Sequence, residues 1–165
     1  MLKKIVTVFF FGILVFSLQA QQWHLDQIKV YDEYDRLATE LVEPAETVHL
    51  INFWATWCKP CVAELTYLEA LLDDDRLSNL KLTLVSLDFK NQIERKLLKF
   101  LNEQSIKANV VVLTDGKTNE YINKVDKTWE GSIPATLFVK GDKRVFYEGS
   151  FHNTQEIIDI INSIN

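Results

Sequence analysis

Cysteine is scarce in this chain: its 165 residues include two. That excludes a disulfide scaffold, because small stapled domains need about two to four bridges. It also excludes an all-protein structural zinc site of the common kind, which takes about four Cys and His ligands in a close pattern. Positive charge is not in excess either. Eighteen Lys and Arg stand against 23 Asp and Glu, a net charge of −5, so nucleic acid has no basic footprint to bind. No period repeats and no low-complexity stretch divides the chain. With 47% hydrophobic residues it is too apolar for a disordered protein, and its length suits one domain with a proper core.

The N-terminus reads as an export signal. Lys3 and Lys4 precede an apolar run, Ile5 to Leu18, that ends near Ala20. These are a positive n-region, an h-region and a small residue before a cut. The run is short of the roughly 20 residues that span a bilayer. Residues 1–20 are therefore expected to be a signal peptide, with a retained membrane anchor as the alternative, and 21–165 a single domain. No cysteine lies near the cut to carry a lipid. Export places the two cysteines in an oxidising compartment, where thiols stay reduced only if something reduces them.

Periodicity predicts a short strand over Gln27–Val30 and a helix over Tyr31–Leu41. Thr47–Ala55 is nearly all apolar, as a central strand covered on both faces would be. Val62, Leu65, Leu68 and Leu72 form a helical stripe over Pro60–Leu72, with Pro60 in the first turn, where its missing N–H costs nothing. Leu80–Leu87 is a strand. Ile93, Leu97, Leu98 and Leu101 mark an amphipathic helix with Arg95, Lys96 and Lys99 on a solvated face. Val110–Leu113 is a strand and Thr118–Val125 a short helix. Ala135–Lys140 and Lys143–Gly149 form a hairpin through Gly141-Asp142. Thr154 caps a last helix that buries Ile157, Ile158, Ile161 and Ile164. A run of strand–helix crossovers ending in a hairpin implies an α/β fold: a central mixed sheet flanked by helices on both faces.

Both cysteines fall within Cys58-Lys59-Pro60-Cys61. A bridge that short encloses almost no loop and constrains the unfolded chain little, so chemistry explains the pair better than stability. Cys58 lies at a helix N-terminus, where free N–H groups and the positive dipole end favour a thiolate and lower its pKa. Cys58 is thus the expected exposed nucleophile, and Cys61, one turn on and more buried, the thiol that resolves a mixed disulfide.

Asn52-Phe53-Trp54-Ala55-Thr56-Trp57-Cys58-Lys59-Pro60-Cys61 resembles the active-site strand and turn of the thioredoxin superfamily. Ser132-Ile133-Pro134-Ala135-Thr136 resembles its cis-proline loop, followed by the expected hairpin and terminal helix. The likeness covers roughly Thr47 to Asn165. Trp57 to Glu64 further resembles the Trp-Cys-x-Pro-Cys-x-x-Glu of the exported TlpA/ResA-like reductases. That implies a thioredoxin-like fold and a Glu64 that tunes the proton chemistry of the pair, chiefly at Cys61. It also implies a cis Ile133–Pro134 bond that leaves Ile133 backbone groups free to pair with an extended substrate. Trp57 and Ile133 would form an apolar rim for that partner. Two positions depart from relatives: Asn52 stands where cytosolic thioredoxins have a buried Asp, and Leu65-Thr66 follows Glu64 where many relatives have a proline.

The remaining candidates have plainer readings. Trp54 and His49 belong to the core, Trp129 packs before Pro134, and His24 and His152 are surface residues. Glu64 could be only a surface carboxylate. A copper-handling protein would recruit His152 with Cys58 and Cys61. A peroxiredoxin would need a Pro and a Thr or Ser where Leu50 and Ala55 stand. The expected activity is therefore protein thiol–disulfide exchange, as a reductase, with neither a metal nor an organic cofactor. It would act on disulfide-bearing substrate proteins, be re-reduced by a membrane thiol donor, and work as a periplasmic monomer. The alternatives are a thioredoxin-fold binding module without turnover and a disulfide oxidase or isomerase.

Overall fold

A computed structural model describes residues 22–41 and 43–165; the expected signal segment lies outside them. Six strands form one sheet in the order β1-β4-β3-β2-β5-β6. They are β1 (Lys29–Tyr31), β2 (Val48–Trp54), β3 (Leu80–Ser86), β4 (Asn109–Leu113), β5 (Ala135–Lys140) and β6 (Lys143–Glu148). The first four are parallel to one another; β5 runs antiparallel beside β2, and β6 pairs antiparallel with β5 at the sheet edge. The helices are α1 (Tyr34–Glu40), α2 (Lys59–Ala70), α3 (Leu98–Gln104), α4 (Thr118–Val125) and α5 (Thr154–Ile164). This is the mixed sheet expected, with helices on both faces.

The central strand β2 is buried along its whole length, and its side chains alternate between two cores. Val48, Leu50 and Trp54 join Leu65 and Leu68 of α2, Leu101 of α3 and Ile157 and Ile161 of α5. Ile51 and Phe53 join Tyr34 and Leu37 of α1 and Tyr121 and Val125 of α4. The two polar residues of β2 follow the same alternation. His49 is buried, its ring nitrogens 3.1 Å from the Leu41 carbonyl and 2.9 Å from Thr83 Oγ1. Burial holds its pKa below the ordinary value. Asn52, three residues on and so on the opposite face, points to the α2 side, where it becomes part of the site.

Several boundaries move. Tyr31 ends β1 and does not open α1, and a 3-10 turn occupies Leu25–Gln27. Ile93–Leu97 forms one π turn ahead of α3, yet Ile93, Leu97 and Leu101 all remain buried. The cap of α5 is Asn153, whose Oδ1 accepts the Glu156 N–H at 3.1 Å. Thr154 is the first helical residue and makes no cap. Trp23, to which the sequence assigned no role, is buried against α3: its backbone N–H donates to Asn102 Oδ1 at 2.7 Å and its indole N–H to the Ile106 carbonyl at 2.8 Å.

Candidate active site

Parallel strands deliver their C-terminal ends to one side of a sheet, and the loops that follow them meet there. After β2, Thr56 and Trp57 turn the chain into α2. The Cys58 N–H closes that turn on the Ala55 carbonyl at 3.1 Å. Asp88, buried just beyond β3, holds the turn from below. Its carboxylate accepts the Thr56 N–H at 3.0 Å, the Thr56 hydroxyl at 2.5 Å and the Ser86 hydroxyl at 2.8 Å.

Cys58 is the N-cap of α2, and Cys58 and Cys61 are joined in a disulfide. The Cys61 N–H points at Cys58 Sγ from 3.3 Å, and no acidic residue sits in the first turn to oppose a negative sulfur. A thiolate at Cys58 would therefore receive a backbone N–H and the helix dipole together. The expected exposure of Cys58 is corrected by the packing. In the disulfide it is 6% exposed, against 0% for Cys61. The Ile133 carbonyl lies 3.7 Å from its sulfur. Cys58 is thus the more open of two buried cysteines.

The Ile133–Pro134 bond is cis, as the resemblance implied. Pro134 is buried and Ile133 half-buried. Trp57 is 52% exposed and stacks on Phe89, itself 62% exposed, with ring centroids 6.5 Å apart. Trp57, Phe89 and Ile133 line one cleft of about 670 Å³ that also includes Leu113 and Tyr121. Phe89 is a residue the sequence reading missed. Its signal was an aromatic three residues past the end of an apolar strand, at the end where such loops converge.

Glu64 is not a surface carboxylate: it is 0% exposed. Its Oε1 accepts the Asn52 side-chain N–H at 2.8 Å and its Oε2 the Phe151 backbone N–H at 2.9 Å. The same Asn52 nitrogen donates to Thr136 Oγ1 at 2.9 Å, tying β2, α2 and β5 together. Burial pushes the Glu64 pKa up to about 7, against the pull of these two donors. A carboxyl with that pKa can both hold and release a proton near neutral pH. It lies one helical turn from Cys61 on the same face of α2. An Asp at position 52 would have set two carboxylates against each other; the Asn donates instead.

His152 is exposed and lies 3.8 Å from Glu156. Among the described residues no group of three or more His, Cys, Asp or Glu could hold a metal. No helix among them is long and apolar enough to cross a membrane.

Known proteins place this arrangement. Residues 17–148 match the AhpC/TSA family. The thiol-disulfide oxidoreductase ResA of Oceanobacillus iheyensis is 29% identical over 121 residues, covering 73% of this chain and 57% of that protein. The chain thus spans a little over half the length of that relative. A thioredoxin-related protein from Neisseria meningitidis serogroup B superimposes with a TM-score of 0.61 at 20% identity, covering 76% of this chain and 88% of that one. A thiol:disulfide interchange protein of the thioredoxin family from Chlorobium tepidum gives 0.56 at 17% identity, over 72% and 79% of the two chains. The fold is thioredoxin-like, and the chain belongs to the AhpC/TSA family.

Proposed function

We propose that this AhpC/TSA family member is an extracytoplasmic protein-disulfide reductase whose working group is the Cys58–Cys61 dithiol. The observation that carries the reading is the placement of the pair. One sulfur caps a helix beside the Ile133 backbone and an exposed Trp57, and the other lies a turn from a buried carboxyl whose pKa is about 7. The similarity to ResA supports it.

The cycle begins with the reduced pair. Cys58 thiolate attacks one sulfur of a substrate disulfide; a Cys58–substrate bond forms, and the departing substrate sulfur takes a proton. Cys61 then loses its proton to Glu64 and attacks Cys58 Sγ. The mixed disulfide breaks, the second substrate sulfur leaves as a thiolate and takes up a proton as Glu64 gives one back, and the Cys58–Cys61 disulfide of the present structure results. Two electrons have passed to the substrate. A membrane thiol donor returns them, so the protein turns over without a metal or organic cofactor. Trp57, Ile133 and Pro134 form the face that receives the substrate chain. Leu50 and Ala55 are buried apolar residues and offer no hydroxyl for peroxide chemistry. The N-terminal segment, as signal or tether, puts the monomer in the periplasm.

With Cys61→Ser the second step is blocked. Partner proteins should accumulate on Cys58 and be released by dithiothreitol, and the wild type should reduce insulin. A Cys61→Ser protein that traps nothing, beside a wild type inert towards insulin, refutes the proposal.

A further inference from the structure

We propose that Glu148 is a positioning residue for substrate docking: it holds the backbone on the N-terminal side of Ile133 in the form an extended chain can pair with. The proposal rests on the reductase reading above and adds a residue outside the thiol chemistry. Glu148 is the last residue of β6, opposite Ala135 in the ladder. Its side chain reaches past the strand end into the loop before Pro134. Oε1 accepts the Ser132 N–H at 2.7 Å, and Oε2 accepts the Glu130 N–H at 2.9 Å. The Trp129 indole N–H donates to the Ser132 carbonyl at 2.9 Å, and the Gly149 N–H to the Pro134 carbonyl at 3.0 Å.

Ile133 is thus held from both sides. Its own N–H takes no partner in the hydrogen bonds of the described residues, and its carbonyl faces Cys58. Between the two clamped N–H groups, Gly131 takes a φ of +97°, and a Cβ there would meet Ile122 Cδ1 at 3.1 Å. A short open cleft beside this loop joins Glu148 and Ile133 to Pro60, within the Cys58–Cys61 turn.

Only a carboxylate can make this clamp. Both of its oxygens accept, whereas an amide accepts on one and presents donors on the other. A pre-ordered docking edge spares the substrate the cost of ordering it, so the benefit appears in substrate capture and not in the sulfur exchange.

Glu148→Gln keeps the size of the side chain and breaks one arm of the clamp; Glu148→Ala breaks both. With insulin as substrate, KM should rise about tenfold in the alanine variant and less in the glutamine variant, with kcat within about twofold. A small aromatic disulfide such as dithiobis(nitrobenzoate) has no backbone to pair, so its rate should change less than twofold. The Cys58–Cys61 reduction potential should stay at the wild-type value. Unchanged insulin KM, an equal loss on both disulfides, or a shifted potential each overturns the clamp. A wild type inactive on both disulfides would instead overturn the reductase reading.

Discussion

The residue that most rewards scrutiny is Glu64, because its environment makes a signed claim. Its pKa is about 7 in the fold against an ordinary value of 4.5, so folding favours its protonated form. Glu64's own contribution to stability is then fully present below about pH 4.5. That contribution is lost as pH rises to about 7, by on the order of 3 kcal/mol. Glu64→Gln removes that titration and leaves one buried donor poorly matched, at a cost of about 1–3 kcal/mol. The expected result is a wild-type advantage over Glu64→Gln that shrinks between pH 4.5 and 7, measured by urea unfolding with the disulfide intact. Parallel curves would show that the carboxyl is already ionised at acid pH. The sequence made Cys58, Cys61, Trp57 and Pro134 legible because each sits in a short window of distinctive residue types. The burial of Glu64 was partly legible: Cys61, Glu64 and Leu68 share a helical face. Its partners were not, since Asn52 comes from the strand before the helix and the Phe151 N–H from 87 residues away.

At the scale of elements, periodicity and turn signals located each described strand and α-helix but not the short 3-10 turns, while local hydrogen bonds decided where each begins. Thr154 is a common capping type, yet Asn153 caps α5. Its amide N–H also donates to Glu156 Oε1 at 2.9 Å, and the Glu156 carboxylate turns back to accept the His152 N–H at 2.9 Å. Two reciprocal bonds outweigh the residue preference that favoured the threonine. Asn153→Ala should therefore destabilise the fold by about 1 kcal/mol, and Thr154→Ala by less than about 0.5 kcal/mol, in chemical denaturation. Equal losses would contradict the capping assignment. The π turn at Ile93–Leu97 left no trace in the pattern, because the spacing of apolar residues alone does not distinguish it from α-helix.

For the whole molecule, the topology explains why so little sequence carries so much of the site. Three parallel strands bring the turns at Thr56, Leu87 and Thr114 to one end of the sheet, and the antiparallel β5 enters beside them from Pro134. The two cores hold β2 rigid behind the Cys pair. The mixed sheet and the two helical faces follow from the crossovers and the hairpin, and so could be anticipated; the strand order could not. The exposed Trp57–Phe89 stack and the Glu148 clamp depend on loops meeting across the fold, and could not. The central claim is that this framework supports a reducing dithiol and not a fixed link or an oxidant. The reduction potential of the Cys58–Cys61 couple, measured by equilibration in glutathione and dithiothreitol buffers, tests it most directly. A reductase of this build predicts a value between about −200 and −300 mV. A value below about −300 mV would mark a structural disulfide, and one near −120 mV an oxidase; either would contradict the proposal.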